Sequence, residues 1–203
     1  MKKATEVFGE WAVKGKDKGM EKSHALPVGA MLDFILPKKN NFTFLDLGCG
    51  NGWVVRKVAK NPLCSWAVGI DGAEKMISNA KSLSKDIPEY ILADIDTFQS
   101  VEKYDVIHSM EVLYYLDNPK EVIKKISKDW LKDNGRLIIG IDHYYENLES
   151  HSWQEKVGTR MLLLKEEEWL DMFKEAGFKQ IESWRANKNS EWEGTLVITG
   201  KNS

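Results

Sequence analysis

The sequence predicts an α/β fold, in which short apolar strands alternate with helices along 203 residues. Three observations predict this class. Five strand-like runs rich in β-branched and aromatic residues follow one another, and amphipathic helical segments separate most of them. The first run leads directly into a glycine-rich loop that opens a helix. After the fifth run, a helix is followed by two further strands that a polar turn joins.

Length and composition predict one globular domain over residues 1–203. Hydrophobic residues make up 42% and charged residues 30%, and the net charge of −2 gives no broad attraction to nucleic acid or anionic lipid. No apolar run reaches the roughly 18 residues of a membrane span, and the charged N-terminal residues do not resemble a signal peptide. Two cysteines without metal-ligand spacing predict a reduced, cytoplasmic protein with no metal site.

Residues 1–36 are predicted to form a partly helical arm at the start of the chain. Phe8 and Trp11 are interspersed with glycines and lysines, which is typical of a solvated segment. Leu26 to Leu36 is predicted to be a short apolar helix with Pro27 in its first turn, where proline is tolerated.

The stretch from Phe42 to Trp53 is the most informative part of the sequence. It predicts a buried strand over Thr43–Leu47, followed by glycines at positions 48, 50 and 52 and then a helix. Alternate glycines let the backbone approach a ligand closely, and the helix directs free N–H groups toward the loop. Asp46 lies inside the strand, where a carboxylate is costly unless a positive group or a donor meets it. A phosphate would be repelled there, whereas a ligand with ammonium and sulfonium groups would be attracted.

The run Leu45 to Gly52 resembles the glycine-rich motif of class I S-adenosylmethionine-dependent methyltransferases. The dinucleotide motif G-x-G-x-x-G fits poorly because its third glycine would fall on Trp53, and no Gly-Lys-Ser/Thr follows. The resemblance implies a Rossmann-like methyltransferase fold, with a mostly parallel seven-stranded sheet, an antiparallel C-terminal strand and helices on both faces. It also implies S-adenosylmethionine as cofactor and S-adenosylhomocysteine as product. The cofactor-binding residues of this loop would be Asp46, Gly48, Cys49, Gly50, Asn51 and Gly52.

The N-terminal segment often covers the cofactor in the resembled family. Residues 1–36 are therefore a candidate flap, and its contact residues would be Trp11, Met20 and His24. The solvated arm remains the alternative.

The second predicted strand, Trp66–Ile70, ends on Asp71 and Gly72. Asp71 lies 21 residues after Gly50, close to the roughly 20-residue offset at which an acidic residue meets ribose hydroxyls. A carboxylate accepts two hydrogen bonds from a vicinal diol, and the resemblance implies this ribose site. A helix N-cap is the alternative role of Asp71.

The third predicted strand, Tyr90–Ala93, follows a helix predicted over Ala73–Ser84. One face of that helix is apolar and is predicted to pack in the core; it carries Met76, Ile77, Ala80 and Leu83. The strand ends on Asp94. The resemblance assigns Asp94 and Ile95 to the adenine of the cofactor.

The fourth predicted strand, Tyr104–Ser109, contains His108, which is predicted to be a packed core residue. The residues after it would face the transferred methyl group in the resembled fold. They contain neither the Asn/Asp-Pro-Pro-Tyr/Phe run of many nitrogen methyltransferases nor the Pro-Cys pair of enzymes that attack cytosine. The remaining resemblance is to small-molecule methyltransferases of the ubiquinone and menaquinone biosynthesis type, in which Ser109, Met110 and Glu111 would line the cofactor.

The second half of the chain supplies the rest of the predicted sheet. Its predicted elements are a helix over Pro119–Trp130, a strand over Arg136–Ile141, a helix over Lys165–Ala176, and strands over Phe178–Ala186 and Thr195–Gly200. Residues 143–163 form a long irregular stretch between the fifth strand and the last helix. Because loops of this length are usually functional or disordered, and this one is aromatic and apolar, we expect a lid over the substrate.

The predicted reaction is methyl transfer to N, O or C of a small-molecule acceptor, which needs a general base only if the nucleophile starts protonated. The candidate bases are His143, His151 and Tyr115, each of which is alternatively a substrate hydrogen-bond donor or a surface residue. Aromatic residues such as Tyr114 and Trp153 would also suit a cage for a cationic amine, although core packing explains most of them.

Other function classes stay open from the sequence. An NAD(P)-dependent oxidoreductase would share the sheet, but not the glycine spacing or Asp46. A methyltransferase acting on protein or RNA is a further alternative, although a nucleic-acid enzyme would need a basic track that this near-neutral chain does not clearly supply. A non-catalytic binding module would have lost Asp46, Asp71 or a glycine, and none is lost. The sequence does not determine the acceptor or the oligomeric state.

Overall fold

The computed structural model describes residues 1–84 and 88–203, which form a seven-stranded sheet with helices on both faces. The strands are β1 Phe42–Leu47, β2 Cys64–Asp71, β3 Glu89–Leu92, β4 Tyr104–Met110, β5 Leu131–Ile141, β6 Lys179–Ala186 and β7 Thr195–Lys201. The α-helices are α1 Ala4–Val13, α2 Met20–Ile35, α3 Trp53–Ala59, α4 Glu74–Ser82, α5 Pro119–Lys125, α6 Trp153–Val157 and α7 Glu166–Glu175. Among the described residues, no helix combines the length and the apolar character that crossing a membrane requires.

The order of the strands in the sheet is β3-β2-β1-β4-β5-β7-β6, which confirms the predicted fold. Strands β1 to β5 pair in parallel, and β7 runs antiparallel to both β5 and β6. The carboxyl ends of the parallel strands therefore meet at one edge of the sheet. The strand order reverses between β1 and β4, and ligands of open α/β sheets bind in the crevice beside such a reversal.

Both faces of β1 are buried, which explains why this strand is apolar apart from Thr43 and Asp46. Its aromatic side chains pack in a core that includes residues of α2 and α3. Its leucines pack on the opposite face, in a core that includes residues of α5 and α7. Because side chains alternate across a strand, burial of both sets requires helices on both faces of the sheet.

Three helix boundaries differ from the prediction. Helix α2 begins at Met20, so Pro27 lies inside the helix instead of in its first turn. Pro27 cannot donate a helical hydrogen bond at this position, and its ring packs in the interior. Helix α4 ends at Ser82, which leaves Leu83 57% exposed instead of in the core. The helix predicted over 119–130 is α-helical only to Lys125 and continues as a π-helical turn that buries Trp130.

Candidate active site

The glycine-rich loop after β1 has the conformation that its sequence requires. Gly48 has a φ of +69° and Gly52 a φ of +76°, a region that residues with a Cβ atom rarely adopt. A Cβ atom at Gly48 would overlap the side chain of Val112, and one at Gly52 would overlap the ring of Tyr90. The loop is thus held close to its neighbours, with its backbone uncovered toward the crevice.

A cavity of about 940 Å³ lies at the carboxyl edge of the sheet, next to this loop. Most of the predicted cofactor residues line it: Asp46, Gly48, Cys49, Gly50, Asp71, Gly72, Asp94, Ile95, Met110 and Glu111. They come from the ends of four strands that are distant in sequence, so the fold brings together the residues that the motifs selected one at a time.

Three predicted cofactor residues, Asn51, Gly52 and Ser109, are not in the cavity wall. The Asn51 side chain donates hydrogen bonds to the backbone oxygen of Asp17 at 3.2 Å and to its Oδ2 at 3.3 Å. Ser109 Oγ donates to the Leu47 carbonyl at 3.1 Å. These side chains hold the loop, the flap and the neighbouring strand together from behind the cavity.

Asp71 at the end of β2 is held by two backbone donors. Its Oδ2 accepts from Gly50 N at 2.9 Å, and its Oδ1 accepts from Ala73 N at 2.8 Å. Burial raises the pKa of this carboxyl, and the two backbone hydrogen bonds oppose that shift. Asp71 therefore fixes the glycine loop relative to β2 while it faces the cavity.

Asp46 forms a hydrogen bond with the imidazole of His108. The sequence alone did not reveal this partner. His108 Nδ1 lies 2.7 Å from Asp46 Oδ1, and both side chains are buried. The two residues are register partners in the parallel pair β1–β4, so the pairing follows directly from the sheet. His108 is packed, as predicted, and its ring also stacks on Phe44 with the centroids 6.1 Å apart. Unlike an ordinary core residue, it lines the cavity.

Glu111 and Asp142 follow the ends of β4 and β5 and lie side by side. Glu111 Oε2 accepts from the Tyr114 hydroxyl at 2.6 Å, and Glu111 Oε1 accepts from Asp142 N. Glu111 has a φ of +60°, a strained conformation that is seen most often at functional sites. Asp142 Oδ1 accepts from Thr195 Oγ1 at 2.6 Å. Ligand atoms of Glu111, Asp142 and His24 lie within 4.8 Å of one another.

The two carboxyl groups of this pair are hard to ionise in the folded protein. Burial raises the pKa of Glu111 well above its ordinary value, and the neighbouring Asp142 raises it further. Burial also raises the pKa of Asp142, which the Thr195 hydrogen bond and His24 oppose. A positively charged group beside them would favour the ionised forms of both carboxyls.

Of the three predicted general bases, only Tyr115 lines the cavity. His143 is 1% exposed, and its Nδ1 lies 3.0 Å from the Ser150 carbonyl oxygen. Asp142 and His143 lie just after the end of β5, and there Asp142 lies beside Glu111 while His143 is buried against the Ser150 carbonyl. His151 Nε2 lies 2.8 Å from the Tyr145 carbonyl oxygen, also outside the cavity wall. Burial raises the pKa of Tyr115, and the charge of Glu111 raises it further.

Both candidate covers, the flap (residues 1–36) and the lid (residues 143–163), contribute to the cavity wall. The flap provides the three predicted contact residues, Trp11, Met20 and His24. The lid provides residues between Trp153 and Arg160. The two covers touch each other, because Thr159 Oγ1 donates to the Lys2 carbonyl at 2.9 Å. The cavity therefore lies beneath two segments that are far apart in the sequence.

The sheet order, the glycine cradle and the acidic residues at successive strand ends define a class I S-adenosylmethionine-dependent methyltransferase. The residues fit this cofactor, because the glycine-rich loop lines the same cavity as carboxylates that suit hydroxyl and ammonium groups. A family model described as a methyltransferase domain matches residues 21–183, and the chain belongs to that family. The predicted family and cofactor are thereby confirmed, and two neighbours with this fold were solved with S-adenosylhomocysteine.

Known relatives include N- and O-methyltransferases. The chain is 28% identical over 137 residues to (S)-coclaurine N-methyltransferase of Papaver somniferum, covering 61% of this chain and 39% of the relative. It is 29% identical over 145 residues to malonyl-[acyl-carrier protein] O-methyltransferase of Halalkalibacterium halodurans, covering 67% and 52%. The chain thus spans about half the length, or less, of these relatives. These matches give no support to the oxidoreductase alternative.

A solved structure resembles nearly the whole chain. It belongs to the complex between the Haloferax volcanii Trm112 methyltransferase activator and the putative methyltransferase. The match has a TM-score of 0.85 and 27% identity, and it covers 96% of both chains. The flap and the lid are therefore included in this likeness.

Proposed function

We propose that this protein transfers the methyl group of S-adenosylmethionine to a small-molecule acceptor bound in the same cavity. The observation that carries the proposal is the continuity of the cavity wall. It extends from the glycine loop and Asp71 to Glu111 and the aromatic residues under the flap. Its volume is about 940 Å³, and ligand sites in proteins measure roughly 300–1,000 Å³. A volume at the upper end of that range suits a cofactor and a methyl acceptor bound side by side.

Residues at the ends of different strands would each bind a different part of the cofactor. Asp71 would accept hydrogen bonds from the ribose hydroxyls, and Asp94 with Ile95 would hold the adenine. Asp46, with one oxygen bound to His108, would direct its other oxygen to the ammonium group of the methionine part. The bound cofactor supplies an electrophilic methyl group on a sulfonium, so the leaving group is already good.

The protein's own contribution is then alignment and exclusion of water. Phe8 packs edge-on against Trp11 at 5.3 Å and against Tyr115 at 5.2 Å, so α1 extends the aromatic wall of the site. The lid adds Trp153 to the same wall. An acceptor held between these rings and Glu111 would be shielded from bulk water by both covers.

Calorimetry with S-adenosylmethionine, S-adenosylhomocysteine and NADH tests the cofactor part of this proposal. We expect saturable binding of the first two and none of NADH. Asp94→Asn should weaken S-adenosylhomocysteine binding about tenfold, the value of one good hydrogen bond to a charged group. The exposed Asp133→Asn is the matched control. Tight binding of NADH alone would refute the proposal.

A protein partner is a second point to test, because the likeness to the chain solved in the Trm112 complex covers 96% of both proteins. We propose that a Trm112-type activator binds this chain. Co-expression with such an activator should give a joint peak in size-exclusion chromatography, whereas separate elution at micromolar concentrations would contradict it.

A further inference from the structure

Three hydrogen-bond acceptors converge where the flap meets the ends of β4 and β5. They are Nε2 of His24, Oδ2 of Asp142 and the carboxylate of Glu111, and we call them the acceptor cluster. Atoms of all three residues lie within 4.8 Å of one another. Glu111 and His24 line the cavity, and Asp142 lies directly behind them.

The tautomer of His24 makes its Nε2 an acceptor. His24 Nδ1 lies 3.0 Å from the Met20 carbonyl oxygen, which can only accept, so Nδ1 carries the proton in the neutral ring. The lone pair of Nε2 then faces Asp142 Oδ2 at 3.9 Å, too far for a hydrogen bond. The Asp142 side chain is 10% exposed, and its Oδ2 makes no hydrogen bond within residues 1–84 and 88–203. This largely buried carboxylate therefore keeps one oxygen available to a donor on a ligand.

The acceptor cluster also lacks a fixed positive charge. Within the described part of the chain, no lysine or arginine pairs with Glu111 or Asp142, and the neighbouring His24 would be cationic only when protonated. Burial raises the pKa of both carboxyls, and the charge of the neighbouring Asp142 raises the pKa of Glu111 further. A ligand that brings both positive charge and N–H donors would satisfy both needs at once.

We propose that the acceptor cluster binds the nucleophile of the reaction as an ammonium group, so that the methyl acceptor is an amine. This inference rests on the proposed methyl transfer and adds the class of the acceptor. The aromatic wall formed by Phe8, Trp11 and Tyr115 lies on the same cavity. It suits an apolar or aromatic body attached to that amine, and ring faces also attract cations.

The spacing favours an ammonium nitrogen over a small metal ion such as Mg²⁺ or Zn²⁺. Hydrogen bonds of about 2.8–2.9 Å from one nitrogen, at angles near 90–110°, separate their acceptors by about 4.0–4.7 Å. Ligands at about 2.1 Å from a metal ion are separated by only about 3.0–3.4 Å. The 3.9 Å between His24 Nε2 and Asp142 Oδ2 lies at the ammonium end of this range.

The same residues supply the proton acceptor that an ammonium requires before it can react. One N–H proton passes to the lone pair of His24 Nε2, and the electron pair of that bond stays on the amine nitrogen. This pair then forms the new N–C bond to the methyl group, while the electrons of the C–S bond remain on sulfur. The products are S-adenosylhomocysteine, the N-methylated ammonium and a protonated His24, whose charge Asp142 stabilises before the proton passes to water.

The test uses the full chain saturated with S-adenosylhomocysteine, so that binding is measured without turnover. Calorimetry at pH 7 compares phenethylamine with its uncharged analogue 2-phenylethanol, with and without Mg²⁺ or Mn²⁺. We expect the amine to bind at least tenfold more tightly, with no requirement for metal. Asp142→Asn should lose most of this preference while S-adenosylhomocysteine binding stays within threefold. Glu111→Gln should lose the preference as well. Glu155→Gln, an exposed acid outside the cavity wall, is the matched control.

The outcomes separate the two proposals. If S-adenosylhomocysteine itself does not bind, the proposed function fails and the amine site fails with it. If S-adenosylhomocysteine binds but the alcohol matches the amine, or both variants keep the preference, the amine proposal alone is overturned. A strict need for Mg²⁺ or Mn²⁺ would overturn it in favour of a metal site. Circular dichroism of each variant verifies folding, and Asp142→Asn provides the result if Glu111→Gln does not fold.

Discussion

Replacing His108 with phenylalanine tests the pair that anchors the first strand end. The ring volume and the stacking on Phe44 are largely kept, whereas the 2.7 Å hydrogen bond to Asp46 Oδ1 is lost. Asp46 is buried, so losing its hydrogen-bond partner is costly there. Removing one partner of such a buried pair costs about 3–5 kcal/mol, whereas a hydrogen bond to a charged group contributes about 1.5–3 kcal/mol net.

A double-mutant cycle separates these contributions. Urea denaturation gives the free energy of unfolding of the wild type, His108→Phe, Asp46→Asn and the double variant. We expect His108→Phe to cost about 3–5 kcal/mol in the presence of Asp46 and clearly less in the Asp46→Asn background, where the charge is absent. The coupling energy should be about 1.5–3 kcal/mol. A coupling energy below about 0.5 kcal/mol, within the scatter of independent sites, would refute the role of this pair.

Three further predictions concern the glycine loop, the flap and the buried carboxyl pair. Gly48→Ala combines a φ of +69° with overlap on Val112, so it should cost at least about 1–2 kcal/mol in urea denaturation and weaken S-adenosylhomocysteine binding. Asn51→Ala removes the side-chain donor to Asp17 of the flap. We expect the flap of this variant to be cleaved faster by protease than that of the wild type, at unchanged global stability. Equal cleavage rates in the two proteins would contradict this prediction. The pKa of Glu111 is raised above 4.5 in the fold, so its stabilising effect is complete below that pH and is lost as pH rises. Melting curves from pH 4 to 8 should therefore show Glu111→Gln gaining stability relative to wild type with increasing pH, and parallel curves would refute this.

Local pattern predicted much of the fold because the information lies within short stretches. The alternation in β1 and the three glycines after it required nothing beyond neighbouring residues. The acidic residues Asp71 and Asp94 were found in the same way, because each directly follows a strand-like run. Their meeting at one cavity depends only on parallel strands sharing a carboxyl edge.

Tertiary partners were not predictable by the same means. His108 and Asp46 are 62 residues apart, and only the register of β1 with β4 makes them neighbours. His24 reaches the end of β5 because α2 begins six residues before the predicted helix and packs across the sheet. His143 was preferred as a base from its residue type, but the chain conformation after β5 buries it against the Ser150 carbonyl, and local sequence does not predict that contact.

The junction between Lys2 and Thr159 joins the flap to the lid, so in the proposed function this seam would part when a ligand exchanges. The seam consists of one isolated bridge and one hydroxyl hydrogen bond, together worth about 1–3 kcal/mol. A free-energy difference of that size corresponds to an open seam in about 1–15% of the molecules at equilibrium. In the proposed reaction, such a cover would keep water from the reacting groups and would still part to release the product.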